Sequence, residues 1–144
     1  MQQEFLLLAD GAESVNGKIY ILGGGVARHF VPKGWQPPIQ LRADIALGIL
    51  VDWHETNNRH ELAVRIVDED EKPHVEATIE FETGRPPGAK PGQDFRNLIA
   101  IKGPFPLPHP GAYKVVLELN GQPQEPPFRF WLDEVDTPSA ARRR

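Results

Sequence analysis

The stretch from Pro110 to Leu132 constrains the fold most. Pro110-Gly111 releases a strand with Tyr113, Val115, Leu117 and Leu119 on one face, Asn120-Gly121 opens a turn, and Phe128, Phe130 and Leu132 alternate on the return. Two such strands are how β-sandwich domains often close. They fix an architecture and expose no chemistry.

The rest of the chain repeats the pattern. Glu4 to Ala9 reads as a first strand, and Asn16-Gly17 as a tight turn into a second, Lys18 to Leu22. Gly23-Gly24-Gly25 and the proline-rich Val26 to Pro38 read as an irregular crossing between sheets. From Leu41 to Trp53 apolar residues alternate with Arg42, Asp44, Ala46, Gly48, Leu50 and Asp52. A straight strand of that length would span roughly 43 Å at about 3.3 Å per residue, so a bend is expected near Gly48 or at the start of the run. Glu61 to Asp68, Val75 to Glu82 and Phe95 to Lys102 supply further strands, with Asp68 to Pro73 and Thr83 to Gly92 as connections. Val75, Ala77, Ile79 and Phe81 against Glu76, Thr78, Glu80 and Glu82 give one dry and one wet face, as an antiparallel sheet requires. No sustained apolar period of 3.6 appears. The expectation is an all-β, antiparallel two-sheet β-sandwich of about eight strands, immunoglobulin-like and without a disulfide. Tyr113, just after Pro-Gly, sits where a buried tyrosine bonds nearby backbone in such folds.

At 144 residues the chain supports one sizeable core. Residues 1–135 are read as a single domain and 136–144 as a flexible basic tail. With no cysteine, disulfides and thiolate metal sites are excluded. Net charge is −4, so without Arg142, Arg143 and Arg144 the remaining chain carries −7. Phosphate neutralisation needs clustered cations, so no nucleic-acid partner is expected. The apolar run Phe5 to Ala9 is too short for a signal peptide or a membrane span, and a cytoplasmic protein without membrane attachment is expected.

Candidate chemistry is sparse. His54 and His60 are six apart around Asn57-Asn58, not the helical four of a zincin, and His29, His74 or His109 would have to add ligands. Asp68-Glu69-Asp70-Glu71 lacks the glycine and final glutamate of a calcium loop. Ser14 and Ser139, the only serines, lie outside any nucleophile elbow. No enzyme activity, catalytic residue, metal or cofactor is therefore assigned. The apolar surface offers more: if Phe128, Phe130 and Leu132 point inward, Trp131 points out, and Val116 does so between Lys114 and Glu118, with Leu50 equally out of pattern.

Phe5 to Gly25, then Trp35, Gly84-Arg-Pro-Pro-Gly88 and Leu107-Pro-His-Pro-Gly-Ala-Tyr113, resemble the landmarks of a bacterial family of small uncharacterised domains, a domain of unknown function. The resemblance reaches about Leu132 and implies a cytoplasmic all-β domain with no catalytic residues to carry over. The leading expectation is a non-enzymatic interaction module, binding a protein partner or forming a homo-oligomer through Trp131 and Val116. The alternative is a small-ligand or metal site in loops around Arg28, His29, Trp35, His54 and Arg85, since arginine and tryptophan anchor anionic or planar ligands.

Overall fold

The computed structural model describes residues 1–136. Apart from Asp136, the expected basic tail lies outside the described residues. The strands are β1 (Gln2–Val15), β2 (Lys18–Gly24), β3 (Arg28–Pro32), β4 (Ile39–Leu41), β5 (Asp44–Val51), β6 (Arg59–Asp68) and β7 (Pro73–Glu82). They continue with β8 (Phe95–Ile101), β9 (Phe105–Leu107), β10 (Gly111–Leu119), β11 (Gln122–Pro123) and β12 (Phe128–Val135), and a short 3-10 turn, Trp53–Glu55, follows β5.

The domain is all-β, but its arrangement corrects the expectation of two antiparallel sheets and about eight strands. Among the described residues twelve strands form three sheets, in the orders β2-β1-β5-β8, β3-β12-β10-β6-β7 with β11 on β10, and β4-β9. The larger sheets curl as half-barrels rather than lying flat as an immunoglobulin-like pair. β3 also joins β12 in parallel, with Trp131 level with Arg28 and Asp133 with Phe30.

The curl has a local cause. Gln2 to Ala9 of β1 pair with β5, whereas Ala9 to Val15 pair with β2, so one long strand serves two partners. Its far end reaches β8: Ser14 Oγ donates to Leu98 O at 2.8 Å and Lys102 Nζ donates to Ala12 O at 2.9 Å. The β1–β2 hairpin thus wraps across the outer face of its own sheet. Asp44, Ala46 and Gly48, expected on a wet face, are buried as a result. Phe5 lies directly over Gly48, where a Cβ would come within 2.3 Å of its ring. The long alternation from Leu41 to Trp53 is broken at Arg42-Ala43, between β4 and β5.

The main core lies between the two larger sheets, with Leu8, Leu47 and Ile49 facing Leu62, Ile66, Leu117 and Phe130. Tyr113 stacks on Phe130 at 5.6 Å, and its hydroxyl donates to His109 O, the backbone bond its position predicts. Asn16-Gly17 and Asn120-Gly121 both take left-handed φ values, 52° and 74°, then 50° and 80°, as two-residue hairpin turns demand.

Candidate functional site

Trp131, on the outer face of β12, remains 44 % exposed, and Phe30, on the same face of β3, 55 %. Beside Trp131 the opposing residue on β10 is Ala112, whose small side chain leaves a recess bounded by Lys114, Arg129 and the β6–β7 turn at Asp68, Glu69 and Glu71. Arg28 spans the two strands, bonding Asp133 at 3.1 and 3.2 Å and lying 5.2 Å from the Phe30 ring centroid. Val116 is not part of this patch. It stands four residues along β10 from Ala112, about 13 Å at ~3.3 Å per residue. Lys114 and Arg129 face each other between them, and Val116 is half-buried opposite Arg65. Phe30, not Val116, completes the aromatic surface.

The second set of candidates divides. β6, β12 and β3 run in one direction, and β3 stands level with the end of β6. His54 and Arg85 lie by the start of β6, so the length of that strand, ten residues and roughly 33 Å, separates them from Arg28, His29 and Trp35. Arg85 is already committed: its guanidinium stacks 3.7 Å from the Trp53 ring centroid and donates to Thr56 Oγ1 at 2.6 Å and Trp53 O at 2.9 Å. The Gly-Arg-Pro-Pro-Gly loop is thereby pinned to the turn after β5. His54 is exposed, and its carbonyl accepts from Asn58 Nδ2 at 3.4 Å.

At the opposite end, His29 and Trp35 line a groove of about 460 Å³ between β3 and β4. Val31, Ile39, Leu41 and Leu132 give it a buried apolar floor. His29 Nε2 hydrogen-bonds Val26 O at 2.9 Å, and Trp35 Nε1 donates to Glu134 Oε2 at 2.6 Å. Both polar atoms therefore hold the groove wall. Arg42 stands at its rim, and sequence reasoning missed it because its alternating run assigned it only to a wet strand face.

The other titratable groups serve the fold. His60 Nε2 bonds Glu55 O at 2.7 Å and its Nδ1 bonds Asn120 Nδ2 at 3.1 Å, tying the turn before β6 to the turn after β10. Asp68 accepts from His74 at 2.8 Å and from the backbone N–H groups of Lys72 and Asp70, so its carboxyl stays below the usual range. Asp44 is more deeply placed. Burial disfavours its charge, but Lys102 Nζ at 2.6 Å and the Gly103 and Ala12 N–H groups at 2.9 Å outweigh that, and its pKa is lowered. Among the described residues no three His, Asp or Glu side chains converge on a metal-sized space. Ser14 bonds a backbone carbonyl, not a base.

These observations define an all-β domain of curled sheets with an aromatic outer patch and a strand-lined groove, which share Phe30. Among the described residues Asp44, His60, Asp68 and Arg85 are held by bonds within the fold. A family model matches residues 4–129, and the chain belongs to that family, a family of unknown function designated DUF6941. Neither the curated proteins nor the solved structures contain a match.

Proposed function

We propose that the chain is a non-enzymatic interaction or self-assembly module of the bacterial cytoplasm, docking through the outer face of its six-stranded sheet. The observation that carries this is the pairing of Trp131 and Phe30 as exposed aromatics on adjacent strands, with the Ala112 recess alongside. Aromatic anchors beside a pocket are the usual centre of an interface. The expected result for Trp131→Glu is a folded protein with a lower solution mass by light scattering, or, if the native chain is monomeric, the loss of a crosslinked partner seen with the native chain. A variant that keeps both mass and crosslinks removes the main support.

The single ligand or metal site formed from Arg28, His29, Trp35, His54 and Arg85 is not carried forward, because its members stand at two ends of the domain. The groove beside His29 and Trp35 is the part of it that stays together.

A further inference from the structure

We propose that the groove between β3 and β4 binds an extended, acidic peptide segment of another protein by strand addition. Four consecutive residues of β3, His29 to Pro32, and four consecutive residues from Ile39 to Arg42 line it. Side chains alternate along a strand, so consecutive residues line a groove only when it runs along the strand's edge. Among the described residues both strands are paired on one side alone, β3 by β12 and β4 by β9. The groove is a strand-shaped space between two open edges.

The backbone of β3 is set for this. Trp131 N–H donates to Ala27 O at 2.7 Å and Lys33 N–H donates to Val135 O at 2.9 Å, one at each end of the parallel ladder. Alternation then turns the odd residues toward β12 and leaves the N–H and C=O of Phe30 facing away from it. A bound segment satisfies those groups, and its alternate side chains reach the Val31 and Leu132 floor.

Charge selects the segment. In an acidic protein, no carboxylate among the described residues lines this groove, and Arg42 is the one permanently charged side chain among them that does. On its other side Arg42 borders a recess with Asp10 and Asp44, but it forms no ion pair among the described residues, and Asp44 is taken by Lys102. β3 enters the Trp35 loop at Pro32 and β4 leaves it at Ile39, so His29 and Arg42 are the groove residues of the two strands farthest along the chain from that loop. A glutamate or aspartate of the bound segment would meet Arg42.

This rests on the reading of the domain as an interaction module, and the groove takes Phe30 from the outer patch but not Trp131. The test is selection of a displayed library of random heptapeptides on the intact protein. Expected are enriched clones with alternating apolar residues and an acidic residue at a fixed position. Their synthetic peptides should lose about tenfold in affinity to Arg42→Glu, roughly one ion-pair's worth of coupling. Backbone N-methylation of the peptide should abolish binding, and reselection on Arg42→Glu should replace the acid with lysine or arginine. No enriched clone, or clones indifferent to both Arg42→Glu and N-methylation, would overturn the proposal. Trp131→Glu should leave peptide affinity unchanged, so failure here does not decide the outer-face reading, nor the reverse.

Discussion

Gly48 shows how one residue can set the thickness of this fold. The Phe5 ring lies where a β-carbon would project, at 2.3 Å from the nearest ring carbon, so β1 can cross β5 closely only because nothing is there. Gly48→Ala is expected to cost about 1–3 kcal/mol as Phe5 is displaced, read as a lower urea midpoint with unchanged slope. Asp44 ties three segments at once through Lys102, Gly103 and Ala12. Its folded pKa is lowered, so its stabilisation is present above the unfolded value and is lost as pH falls through the folded one. Asp44→Asn should therefore cost about 1–3 kcal/mol at neutral pH. The gap between the two proteins should close below about pH 4 in denaturation curves taken across the acid range.

At the scale of elements, the loop after β7 is anchored at Thr83, whose carbonyl accepts from Asn57 N–H, and beyond it by one long side chain. Arg85 stacks on Trp53 and donates two hydrogen bonds to the turn beyond β5, holding an otherwise long proline-rich connection against the start of β6. Arg85→Ala should destabilise the protein by about 1–2 kcal/mol and speed amide exchange most between residues 84 and 94. Arg85→Lys should not restore protection, since an ammonium cannot both stack and fork. The sequence made the strands readable where one face is wet, as in β7, β10 and β12. It misled at β5, because alternation reports a wet face only when nothing covers it, and the covering element is a hairpin from elsewhere in the chain. The same limit applied to the site. Trp131 was legible as an outward residue in a clean alternation, whereas its neighbour Phe30 lies in a five-residue strand with too few positions to show a period. Arg85 looked like a ligand anchor because no local pattern announces a stacking partner about thirty residues away.

For the whole molecule, the pairing of β3 with β12 matters most. The β1–β2 and β6–β7 hairpins can form from neighbouring residues, but β3 takes its only sheet partner among the described residues from a strand that begins at Phe128. Parallel partners so far apart require most of the domain between them, and non-local pairing of this kind slows folding. During synthesis, at about 5–20 residues per second, β3 leaves the ribosome roughly 5–20 s before β12 does. Over that interval Phe30 and both edges of its strand have no sheet partner, and an exposed apolar edge is a template for association. A nascent chain of this protein is thus most vulnerable through the very strand that closes it last, and a holdase acting during translation would find its target there.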